Sequence, residues 1–157
     1  LSEQSERAVK LGFKFRYEAL LGYRQHLKEK AEIEYSQARQ QLKRLKDTLV
    51  AYQEELDDVR NELARCLREK TDSMTIKNYS QYIGALKLWI AMKEAEIDKA
   101  EKLLTEKLDS LLNRTKKFKI IEKLKEKDYK KWEKKLNIME QKQLSEMGVL
   151  RHGREFL

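Results

Sequence analysis

Not one proline occurs in these 157 residues, and only five glycines do. Proline and glycine are the strongest interrupters of a helix, so a chain this poor in both can run as helix for very long stretches. Charged residues fill 39% of the sequence, and much of the rest is Ala, Leu, Gln and Met. These are good helix formers, and together they have the composition of a long helix or coiled coil.

Two long periodic segments follow. In the first, Leu42, Leu45, Leu49, Tyr52, Leu56, Val59, Leu63 and Cys66 alternate steps of three and four. That is a heptad seam. Extended backwards it passes Ala38, Tyr35, Ala31, Leu27, Arg24, Leu20 and Tyr17 to Phe13, with a stutter, steps of three, four and four, between Arg24 and Tyr35. In the second, Tyr79, Ile83, Leu86, Ile90, Lys93, Ile97, Ala100, Leu104, Leu108, Leu111, Thr115 and Phe118 form the stripe, with a stutter near Leu104 to Leu108. Looser positions lead on to Tyr129, Trp132, Leu136 and Met139.

The pattern predicts one all-α domain, a long two-helix antiparallel coiled-coil hairpin. Helix 1 is expected over about 13–68, a turn over about 69–75, helix 2 over about 76–147, and a tail over 148–157. The break reads Glu-Lys-Thr-Asp-Ser-Met-Thr, rich in residues that hydrogen-bond free amides, and Thr75 is the expected N-cap. So short a break makes the helices antiparallel. Folding about residues 72 and 73 sets residue i opposite 145 − i, which puts Phe13 near Trp132 and leaves the last turns of helix 2 overhanging.

Catalysis is not expected. Two histidines and one cysteine, Cys66, cannot build a zinc site, and no glycine-rich phosphate loop occurs. A two-helix seam has no concave pocket in which to desolvate an acid or base. Hence no catalytic, cofactor-binding or metal residue is assigned, and no cofactor is expected. Cys66 continues the seam and reads as a small buried hydrophobe. No apolar run nears the roughly 20 residues of a membrane span, and no secretory signal pattern opens the sequence, so a cytoplasmic protein is expected.

Three features depart from a plain heptad. The net charge is +8, and Asn113 to Lys135 alone holds eleven Lys/Arg against four Asp/Glu. Its basic flank comprises Arg114, Lys116, Lys117, Lys119, Lys123, Lys130 and Lys131. This points to an acidic or phosphate-rich partner, electrostatic steering, or simply a solvated face. Beside the second seam runs another apolar stripe, Tyr82, Ala85, Trp89 and Met92, which one partner helix cannot cover. Exposed Trp and Tyr are common interface anchors. The chain ends carry Phe13, Phe15, Tyr17, Leu20, Leu21 and Tyr23 on one side and Leu144, Met147, Val149 and Leu150 on the other.

At those ends and at the turn the sequence resembles the flagellar FliJ family, the stalk component of the type III export apparatus. Phe13-Lys14-Phe15-Arg16-Tyr17-Glu18-Ala19-Leu20-Leu21, followed by Arg24, is similar to the family's opening, except that Tyr17 stands where a leucine is expected. Met74-Thr75-Ile76 leading to Tyr79, Tyr82, Ile83 and Leu86 is similar to its second-helix start. Glu140-Gln141-Lys142-Gln143-Leu144-Ser145-Glu146 is similar to its ending. The resemblance implies a non-enzymatic stalk whose free ends enter the hexameric export ATPase, and which contacts the cytoplasmic domain of the export gate and export chaperones. It carries ATPase-ring contact onto Phe13, Phe15, Arg16, Leu20, Arg24, Gln141, Leu144 and Glu146. It carries gate contact onto Tyr82, Leu86, Trp89 and Lys93. Such a protein reaches the inner membrane through its partners alone.

Other readings stay open: the equivalent stalk of a virulence-type secretion system, a basic coiled coil binding nucleic acid or anionic membrane, and a parallel structural dimer with no internal hairpin. Aromatic residues lie mostly on the seam or near the turn, not within the basic run, so no specific nucleic-acid recognition is expected.

Overall fold

The computed structural model describes Glu3 and residues 12–156. Two long helices pack against each other, α1 over Glu18–Arg68 and α2 over Ser73–Glu155. No strand occurs among the described residues. This is the expected helical hairpin, so the parallel dimer without an internal hairpin falls away.

The connection is tighter than its sequence suggests. Lys70 adopts a left-handed φ of 52°, and the Thr71 amide donates back to the Cys66 carbonyl at 3.1 Å. Together these form a Schellman-type C-cap, with a lysine at the position glycine usually takes. The Asp72 carbonyl accepts from the Ile76 amide at 3.2 Å, so Asp72 is the N-cap and α2 opens at Ser73. The expected cap at Thr75 is therefore three residues late. Because the C-cap finishes α1 by Lys70 and Thr71, the next residue is already free to start the return helix.

Both outer boundaries also move. Helix 1 begins at Glu18 and not near Phe13. Gly12 has φ +85°, the Phe15 carbonyl accepts from the Glu18 amide, and the Tyr17 carbonyl accepts from the Leu21 amide. In a helix, residues two apart point about 200° away from each other. An irregular Gly12–Tyr17 segment instead lets Phe13 and Phe15 both pack on α2. At the other end α2 runs on to Glu155, through most of the segment expected as a tail beyond Met147.

The chain forms two compact units. One joins Glu29–Asn113 and includes the turn; the other joins Leu1–Lys28 with Arg114–Leu157. In the turn unit Leu56, Val59 and Leu86 form a buried cluster, flanked by Tyr52, Tyr79, Tyr82, Ile83 and Ile90. Leu86 has no exposed surface at all. Ala31, Ala38, Leu42, Cys66 and Ile97 are buried too. In the free-end unit Phe15, Leu21 and Ile121 are buried, with Phe13, Phe118 and Leu124 against them.

The expected stutters are not required. Leu21, Arg24, Lys28, Ala31, Tyr35, Ala38 and Leu42 are all buried or half-buried and alternate three and four without a break. So do Ile97, Ala100, Leu104, Lys107, Leu111, Arg114, Phe118 and Ile121. Leu20 and Leu108, which the apolar reading placed in the seam, are 36% and 37% exposed. The cause is amphipathic. Arg and Lys lay their methylene stems along a seam while the charged head reaches water or an acid. A reading that admits only apolar letters skips these positions and finds a false step.

Candidate functional site

Two surfaces stand out, one in each unit. In the turn unit, Trp89 lies 5.9 Å from Tyr52 and 6.2 Å from Tyr82 between ring centroids. The Tyr82 hydroxyl donates to Glu55 of α1. This bond, followed by partial desolvation and the Glu55 charge, raises the Tyr82 phenol above its ordinary value. A shallow hollow of about 190 Å³ is lined by Tyr52, Trp89, Met92, Lys93 and Glu96. Lys93 is held by Glu96 at 3.0 Å. Trp89 remains 41% exposed and Met92 55%. Of the adjacent stripe predicted from spacing, Trp89 and Met92 thus lie open, while Tyr82 and Ala85 are half-buried. Of the four residues assigned to the gate, Tyr82, Trp89 and Lys93 gather here. Leu86 is fully buried beneath them and supports the patch without offering a surface. Glu55 was not foreseen, because nothing in the letters shows which α1 residue meets Tyr82.

Ion pairs across the two helices flank this unit. Glu34 accepts from Lys107 at 3.0 Å, and Lys46 lies 3.6 Å from Glu101. The Lys107 hydrogen bond, then its charge, holds the Glu34 carboxyl below its ordinary value, burial opposes this, and Lys30 adds to the lowering.

In the free-end unit, Phe13 stacks edge-on against Tyr129 at 5.4 Å and tilts on Trp132 at 5.6 Å, the partner that 145 − i anticipates. Arg16 lies over the Tyr17 ring at 5.4 Å, and Tyr17 meets Phe15 at 5.9 Å. Lys125 pairs with Glu18 at 3.0 Å. Lys28 sits 5.0 Å over the Phe118 ring, a cation–π contact that places charge on the seam. Arg24 donates to the Lys117 carbonyl at 2.8 Å. Leu20, Tyr23, Arg24, Leu27, Arg114 and Lys117 line an open hollow of about 230 Å³.

The residues assigned to the ATPase ring therefore divide. Phe15 is buried and Phe13 is half-buried, so both build the unit. Arg16 is exposed, while Leu20 and Arg24 reach the hollow. Gln141, Leu144 and Glu146 lie on the stretch 137–156, where every residue is exposed. Leu144 is 69% exposed, Met147 64% and Leu150 68%. The overhang is thus a continuous helix with uncovered apolar side chains. The basic flank divides as well: Arg114 is half-buried beside α1, while Lys116, Lys117, Lys119, Lys123, Lys130 and Lys131 are exposed. Among the described residues, no helix is long and apolar enough to cross a membrane.

The chain is similar in structure to CT670 of Chlamydia trachomatis, described as a YscO homologue, with a TM-score of 0.53 and 23% identity over 89% of this chain and 95% of that one. At that identity the likeness speaks for the fold alone. No curated protein matches the sequence. The family model described as Flagellar FliJ protein matches residues 13–155, which takes in both surfaces and nearly all of both helices. On that match the chain belongs to the FliJ family of type III export components.

Proposed function

We propose that this protein is a non-catalytic coiled-coil stalk that docks its free-end unit in the hexameric ring of a type III export ATPase. The family match over 13–155 carries the reading. What supports the placement is the exposed helical overhang of residues 137–156, with Gln141, Leu144 and Glu146, in the same unit as the hollow at Leu20 and Arg24. A helix end with uncovered Leu and Met side chains calls for an apolar lining, which a ring pore supplies. The aromatic patch at Tyr82, Trp89 and Lys93 belongs to the other unit and is free to meet a second partner. We assign it to the cytoplasmic domain of the export gate, with export chaperones as further partners. On this reading the protein works in the cytoplasm and reaches the inner membrane through its partners.

Titrating the protein into its cognate export ATPase is expected to raise the ATPase rate or the hexamer fraction. No change at saturating stalk protein sinks the ring assignment. The flagellar and virulence versions of the stalk differ in the ATPase they serve, so binding measured against both kinds of ring decides between them.

A further inference from the structure

Helix α2 carries a second ordered feature in its basic stretch. Lys116, Lys119, Lys123, Lys127, Lys130 and Lys134 follow one another at steps of three, four, four, three and four. The stretch is helical throughout, and all six residues are exposed. At 100° per residue these steps stack them on one face, opposite the seam positions Phe118 and Ile121, over about 27 Å. Three carboxylates, Glu122, Glu126 and Glu133, border that face along one edge. Among the described residues no carboxylate lies within ion-pair reach of Lys116, Lys119, Lys127 or Lys134, while Glu126 pairs with Lys130 at 2.9 Å and also feels the charge of Lys123. The outer face of α1 in the turn unit differs, mixing Lys43, Asp47, Glu54, Asp58 and Arg65. Like charges at three- and four-residue spacing weaken a helix. An acidic partner reverses that repulsion.

We propose that this lysine ridge is a docking track for an acidic helix of a partner protein, with Glu or Asp at matching three- and four-residue steps. Two observations favour a protein over a lipid surface or a nucleic acid. Glu122, Glu126 and Glu133 line one edge of the ridge. A uniformly anionic sheet or duplex meets that acid row as well as the lysines, whereas a folded partner places its charges to match one and avoid the other. The ridge also contains no Arg, aromatic, Asn or Gln, the side chains that read or stack bases. The ridge lies on the free-end unit but shares no residue with the ring and gate assignments, and the inference stands whether or not those hold.

The test uses the full chain and two labelled peptides of identical composition. One bears six Glu at the ridge spacing; the other carries the same six in one block. By fluorescence anisotropy the spaced peptide is expected to bind about tenfold more tightly than the blocked one, a gap consistent with a few exposed charge pairs. The triple variant Lys119→Gln, Lys123→Gln, Lys127→Gln is expected to weaken it by a similar factor and to keep its helicity by circular dichroism. The variant Lys43→Gln, Lys99→Gln, Lys102→Gln, on the turn unit, is expected to leave binding unchanged. Equal binding of the two peptides overturns the proposal, as does indifference to the ridge variant. Tighter binding to phosphatidylserine vesicles or to duplex DNA than to the spaced peptide also overturns it.

Discussion

The turn unit and the free-end unit are built from the same two helices, yet they close their seams differently. The turn unit relies on small and aliphatic residues: Ala31, Ala38, Leu42, Leu56, Val59, Cys66, Leu86 and Ile97. Knobs of this size let the helices approach and bury Leu86 completely. The free-end unit packs rings and cations: Phe13 on Tyr129 and Trp132, Lys28 over Phe118, Arg24 on the Lys117 carbonyl. Phe13 and Phe15 reach the seam from an irregular Gly12–Tyr17 segment, and the same unit holds the hollow at Leu20 and Arg24. Beyond Leu136 no described residue of α2 is covered. The contrast teaches that the turn unit closes its seam and leaves a side patch at Trp89 and Met92 open, while the free-end unit leaves the whole end of α2 uncovered. Interfaces belong on apolar surface that the seam does not cover.

The strongest challenge to that contrast is Leu86→Ala against Leu144→Ala. Truncating the fully buried Leu86 is expected to cost about 2–5 kcal/mol, read as a lower urea midpoint. Leu144→Ala is expected to change stability by less than about 0.5 kcal/mol while weakening ATPase binding. Comparable losses of stability from both would erase the distinction between a closed and an open seam.

Lys70→Gly probes the turn. Relief of a left-handed non-glycine backbone is expected to stabilise the protein by about 1 kcal/mol, visible as a raised Tm. Lys28→Ala probes the cationic seam. Loss of the contact over Phe118 is expected to cost roughly 0.5–1 kcal/mol, with the signal of Trp132 in the same unit reporting it before Trp89 does. A Trp89 response of equal size would show the two units unfolding as one.

Acid and base separate two contacts of the turn unit. The folded Glu34 carboxyl lies below its ordinary value of 4.5, so the Lys107 pair stabilises the fold above that pH and the benefit disappears as pH falls through the lowered folded value. Lys107→Gln should therefore flatten the acid limb of a Tm-against-pH curve. The Tyr82 phenol is raised above 10.0, so its bond to Glu55 stabilises below pH 10.0 and is lost as pH climbs through the raised folded value. Tyr82→Phe should remove that alkaline loss. Trp89→Ala, at a half-open position, should scarcely alter helicity yet weaken the gate domain's binding; a large drop in Tm would show that Trp89 is core.

Much of this protein follows from local pattern alone. Heptad spacing, the missing prolines and a short break rich in polar residues determine two antiparallel helices, because helical periodicity is a property of neighbouring residues. The open positions Trp89 and Met92 and the overhang past Trp132 are legible for the same reason. Only the tertiary structure decided the rest. Between adjacent apolar residues such as Leu20 and Leu21, the facing helix selects which one is buried. Between Lys107 and Leu108 it admits the lysine, because Glu34 waits across the seam to take its charge. The irregular start at Gly12–Tyr17 exists because Tyr129, Trp132 and Ile121 receive the two phenylalanines. Each of these outcomes depends on a residue roughly 70 to 120 positions away, which no local spacing can convey.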